Sequence, residues 1–164
     1  MKLMAIVFLF YSNYLNAQEL PINDDNEVEF EYIGETNMNI KDAKEKLLEN
    51  MRQNLGLKET IEDGEDYFII RLQSIARLGN GLGHYLMSPI TYMCRFDFKE
   101  NRFRSTWYSM TFADTKGVHK IENLEKELNK RNRRLIKEKI HSEFSEWKDY
   151  LDKAFEKKEK KKDW

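Results

Sequence analysis

The chain has 164 residues, with 28 basic and 29 acidic side chains and a single cysteine. That length suits one domain with its own core, and one cysteine excludes an internal disulfide. The near-neutral total conceals an acidic stretch before Lys116 and a basic one after it; the basic part reads either as a solvated helix face or as a contact for an anionic surface.

Residues 1–17 open with Lys2, continue through the apolar run "LMAIVFLFY" and close on "SNYLNA", and no acidic residue precedes Glu19. This order of charge, apolar run and small residue marks a secretory signal peptide, with cleavage expected between Ala17 and Gln18. A retained membrane anchor is the alternative, and the run falls short of the ~20 residues that span a bilayer. The expected organisation is a signal peptide over 1–17, a single domain over 18–155 and a basic, disordered tail over 156–164. The expected location is periplasmic or secreted.

"NEVEFEYI" alternates, with Val28, Phe30 and Tyr32 on one face and Glu27, Glu29 and Glu31 on the other, which predicts a half-buried strand. An amphipathic helix should follow, with Ala43, Leu47, Met51 and Leu55 as its buried stripe, Asn39 as N-cap and Gly56 as the stop. Asp63-Gly64 predicts a two-residue hairpin between extended runs. The acidic residues around it lack the ligand alternation of a calcium loop.

"RLGNGLGHYL" brings Gly79, Gly81 and Gly83 together. A phosphate-cradling loop runs from a strand into a helix. Here Pro89 and the alternation of Ile90, Tyr92, Cys94, Phe96 and Phe98 predict a strand instead, so the glycines read as a strand-to-strand connector. "KENR" closes a further hairpin, whose return strand "RFRSTWYSMTF" puts Phe103 and Trp107 on one face but Tyr108, Met110 and Phe112 on the other. A β-bulge would reconcile them. Arg102, Arg104 and Tyr108 lie in one row and form the candidate binding strip: the arginines either bind an acidic group or pair with acids on a neighbouring strand. From Lys116 onward the chain reads as helical, with a break expected near residues 129–133.

The resulting fold class is α+β, a five-stranded antiparallel sheet in strand-helix-four strands-helix order, covered by helices on one face. The order, the "AQELP" start and the Arg102-Phe103-Arg104 strand after "YMCRFDF" resemble an uncharacterised secreted bacterial domain family with a TATA-binding-protein-like fold. The resemblance implies that fold and an envelope location, and it supplies no activity.

Catalytic patterns are absent from the sequence. His84, His119 and His141 are too far apart for a helical metal motif, and Cys94 lies in an apolar strand where a thiol is ordinarily inert. No cofactor is expected. The composition favours a monomeric, exported, non-enzymatic binding or accessory module, with an unknown envelope protein or ligand as partner and no nucleic acid. The alternatives are an anionic membrane surface contacted through Lys157, Lys158, Lys160, Lys161 and Lys162, and an unrecognised active site.

Overall fold

The structure is a computed structural model that describes residues 19–79 and 85–155. The expected signal peptide with Ala17 and Gln18, the centre of the glycine connector with Gly81, Gly83 and His84, and the basic tail lie outside the described residues.

The elements in chain order are β1 (Phe30–Glu35), α1 (Ile40–Leu55), β2 (Glu62–Asp63), β3 (Tyr67–Gly79), β4 (Tyr85–Lys99), β5 (Arg102–Asp114), β6 (Gly117–Lys120), a 3-10 turn (Ile121–Asn123), α2 (Leu124–Glu127) and α3 (Lys130–Phe155). The sheet has the order β1-β5-β4-β3-β2, with β6 paired to β5 and every pairing antiparallel. Three of its strands are long, β3 and β5 with 13 residues and β4 with 15, and β-branched and aromatic residues recur through them. Thirteen residue pairs, from Tyr67↔Asp97 to Gly79↔Tyr85, join β3 and β4 in one register.

One face of the sheet is buried. Phe68, Ile70, Cys94, Phe96, Phe98, Phe103, Trp107 and Phe112 form its core, together with Leu47 and Met51 of α1 and Ile136 and Ile140 of α3. The helix-borne aromatics seat on sheet aromatics: Phe144 meets Trp107 edge-on at 5.3 Å and Phe155 lies 4.6 Å from Phe103. Each fully buried aromatic of this kind contributes about 1.5–3 kcal/mol through surface removed from water. Asn39 caps α1 by accepting the Asp42 N–H at 2.9 Å, and Gly56 ends it at φ 65°. These are the caps the sequence predicts. Of the expected stripe, Ala43, Leu47 and Met51 are buried, whereas Leu55 at the last turn is exposed and Leu48 is buried in its stead.

Four expectations need correction. The two-residue hairpin turn does not fall on Asp63-Gly64. Gly64 N–H bonds to Tyr67 C=O at 3.0 Å, so the turn is made by Glu65 and Asp66, and residues 57–61 pack as a loop with only β2 paired beyond it. The sheet has a sixth strand where helix was expected, because Asp114 organises a turn that sends Gly117–Lys120 back along β5. The helix break covers Leu128, whose backbone is extended, and Asn129, so it meets only the first residue of the expected 129–133, and residues 130–133 are helical. Asn129 restarts the helix by accepting the Asn132 N–H at 3.0 Å, so the basic "KRNRR" run forms the first turns of α3.

The bulge in β5 is present. Met93 faces Tyr108 and Thr91 faces Thr111, so β5 carries one extra residue between them. Ser109 supplies it at φ 52°, which restores Met110 and Phe112 to the buried face with Trp107.

Candidate functional site

Among the described residues no helix packs on the other face of the sheet, and the candidate strip lies there. Arg102, Arg104, Thr106 and Tyr108 follow one another along β5, because residues two apart on a strand share a face. β1 borders them with Glu31, Ile33 and Glu35, and β4 with Met93, Arg95, Asp97 and Lys99.

The electrostatics distinguish the two arginines. Arg104 Nη2 donates to Asp97 at 3.1 Å and Nη1 lies 3.6 Å from Glu31, so it pairs with acids on both neighbouring strands. Asp97 also accepts from Arg95 Nε at 2.7 Å, and the Arg95 guanidinium lies 4.2 Å from the Tyr67 ring centroid. The Tyr67 hydroxyl in turn donates to Glu62. Arg95, Asp97 and Arg104 thus form a fixed polar network in the middle of the face. Arg102, opposite Lys99 and Glu35, makes no ion pair among the described residues and is exposed. Tyr108 is half-buried beside Met93, and that burial pushes its phenol pKa up. Of the three candidate residues, Arg102 is the charge left available and Tyr108 the available aromatic.

Large apolar groups accompany them. Ile33 is 59% exposed, Ile75 52% and Met87 50%, all on this face. Ile75 and Met87 sit on the outer half of the β3–β4 hairpin, where the pairing continues past the last β4–β5 pair at Ile90↔Phe112. Sequence reading overlooked this hairpin arm as part of a surface. The signal was present in the open-face phase of Arg71, Gln73, Ile75 and Arg77.

A second overlooked feature is the groove between β3 and α3. Tyr92, Trp147 and Tyr150 line it with Leu72, Gln73 and Ser74. Its polar groups are already engaged: Tyr92 donates to Glu143 at 2.7 Å and Tyr150 to Asn50 at 2.8 Å. Burial, reinforced by Glu143, pushes the Tyr92 phenol pKa far up, so it stays a neutral donor.

Among the described residues, Cys94, His119 and His141 each pack against other groups of the fold. Cys94 is fully buried beside Ser105, and burial pushes its thiol pKa well above the ordinary value. His119 stacks on Phe112 at 5.2 Å and shares Asp114 with the turn before it, at 3.0 Å. His141 meets the Phe30 ring edge-on at 5.4 Å. No group of three metal-ligating side chains occurs among the described residues.

No family model matches the chain, and no curated protein matches its sequence. Two solved structures match in three dimensions. A DUF4468 family protein from Bacteroides ovatus ATCC 8483 superposes with a TM-score of 0.61 at 14% identity, covering 90% of this chain and 95% of its own. A TBP-like protein from Parabacteroides distasonis ATCC 8503 gives 0.61 at 13% identity, covering 82% and 96%. At such identities the likeness is one of fold and carries no activity. The strand order, the one-sided helical cover and these two neighbours together show an α+β fold similar to that of the TBP-like protein.

Proposed function

We propose that this chain is an exported, non-catalytic binding module that presents the uncovered face of its sheet to a protein partner in the cell envelope. The observation that carries the reading is the uncovered face itself. Ile33 is exposed there near Arg102, which has no ion pair among the described residues, and Ile75 and Met87 are exposed farther along the same face on the β3–β4 hairpin, while the described helices lie on the opposite face. Exposed apolar side chains interspersed with arginines on one uncovered surface are the composition of a protein interface. The neutral, enclosed Cys94 and the structurally engaged His119 support a role without catalysis. Export rests on the order of residues 1–17.

Crosslinking in cells, followed by mass spectrometry that maps the joined residues, tests the reading. A partner joined repeatedly through residues of the open face is the expected outcome. Joining only through the outer side of α3, or turnover of a substrate with no partner recovered, would overturn it.

A further inference from the structure

We infer that copies of this chain associate head to tail, the β1 edge of one copy pairing antiparallel with the β3 edge of the next. The inference goes beyond the binding role and does not depend on it.

The hydrogen-bond phase of β3 fixes which groups its outer edge offers. Phe98 N–H bonds to Asp66 C=O at 2.8 Å. In an antiparallel ladder the bonding side alternates with each residue, so the even-numbered residues of β3 face β4 and the odd-numbered ones face outward. Both ends agree with that phase. Ile69 C=O accepts from Ile61 N–H at 2.7 Å, and Gly79 exchanges two bonds with the Asn132 side chain, each 3.1 Å. Between these covered ends Arg71, Gln73, Ile75 and Arg77 turn their N–H and C=O groups outward, and no described group meets them.

The β1 edge has the complementary character. Thr36 N–H bonds to Asn101 C=O at 2.9 Å, so Phe30, Tyr32 and Gly34 face β5 and Glu31, Ile33 and Glu35 face outward. The segment before β1 covers that side only as far as Glu29, whose N–H bonds to Pro21 C=O at 3.1 Å. Backbone and side-chain periods coincide, so both outward sets also carry their side chains on the open face.

Placing Ile33 of one copy opposite Ile75 of the next joins two apolar side chains that are each more than half exposed. The same register puts Glu31 opposite Arg77 and Glu35 opposite Gln73. Arg77 has no acidic partner within its own chain among the described residues. Glu31 lies 3.6 Å from Arg104 in an exposed pair, which is weak and readily shared. Like-edge pairings are less favourable: two β1 edges centred on Ile33 set Glu31 against Glu35, and two β3 edges gather the arginines of both copies at one seam. β1 and β3 run in opposite directions within the sheet. The next copy therefore docks in the same orientation, with its helices on the same side. After one contact the first copy keeps its β3 edge and the second its β1 edge unused, so the contact is heterologous and propagates.

Two tagged copies of the full chain, one carrying Ile33→Cys and the other Ile75→Cys, test the pairing after co-expression and mild oxidation. Opposed residues of a bonded antiparallel pair lie about 5.5 Å apart at Cα, within disulfide reach, and native Cys94 is enclosed. The expected result is a disulfide between unlike copies that exceeds either like pair. A chain carrying both cysteines should give a ladder of oligomers. Arg77→Glu should weaken concentration-dependent association about threefold in sedimentation, and adding Glu31→Arg should restore it. Three results would overturn the inference: no 33-to-75 disulfide, like pairs forming at least as well, or capture of an unrelated protein at position 75 with no sedimentation change on concentration.

Discussion

Asn132 is a buried amide in the first turn of α3 that closes the end of a strand. Its carbonyl oxygen accepts from Gly79 N–H and its amide nitrogen donates to Gly79 C=O, so one side chain takes the place of a neighbouring strand residue. Asn132→Ala removes both bonds and leaves two backbone groups of Gly79 short of partners. The expected cost is about 1–3 kcal/mol, read as a lower midpoint in urea unfolding with an unchanged slope. Cys94 makes the opposite kind of prediction, since its interest lies in what it does not do. Burial holds the thiol neutral in the fold, and the nearby Ser105 hydroxyl offsets this only in part. The folded thiol ionises at higher pH than the unfolded one, so its contribution to stability is complete below the ordinary thiol pKa of about 8.5 and is lost as pH climbs beyond it. At pH 8 a thiol-alkylating reagent should leave the native protein unlabelled and modify it fully in denaturant. Rapid native labelling would show a reactive thiolate and reopen a catalytic role.

The bulge in β5 determines what the open face can present. Ser109 at φ 52° reverses the alternation, which keeps Met110 and Phe112 in the core while Tyr108 stays on the open side. A β-branched side chain is strained at that angle, so Ser109→Val should destabilise the protein by about 1–3 kcal/mol while Ser109→Gly should not. Denaturant titration of the two variants checks this. The elements legible in the sequence were those whose signal is long. The alternation of β4, the caps of α1 and the misfit of Trp107 against Met110 each spanned several residues and pointed one way. β6 escaped notice because four residues carry too little period. Its cause is local: Asp114 Oδ1 accepts the Lys116 N–H at 2.7 Å and the Gly117 N–H at 3.2 Å, and Gly117 adopts φ 143°. The helix break was drawn too long because polarity was read as interruption, whereas Asn129 caps α3 and Asn132 clamps Gly79.

At the scale of the molecule the sheet divides the labour. Its buried face holds the aromatic core against α1 and α3, and its other face is left to a polar network flanked by exposed apolar groups. Spacing alone puts Arg102, Arg104 and Tyr108 in one row, and the register sets that row on the open face. Its division into a paired Arg104 and a free Arg102 was beyond the sequence, since it depends on Asp97 and Glu31, which come from two different strands. The edges β1 and β3 likewise acquire meaning only from register, because the outward phase of Ile33 and Ile75 is set by bonds at Thr36 and Asp66.

Photocrosslinking from single positions tests the open face as the binding surface most directly. A photoreactive residue at Arg102 or Met87, both exposed on the open face, should join the same partner protein. One at Ser145, exposed on α3, should join none. Crosslinks from Ser145 alone, with none from Arg102 or Met87, would contradict the account.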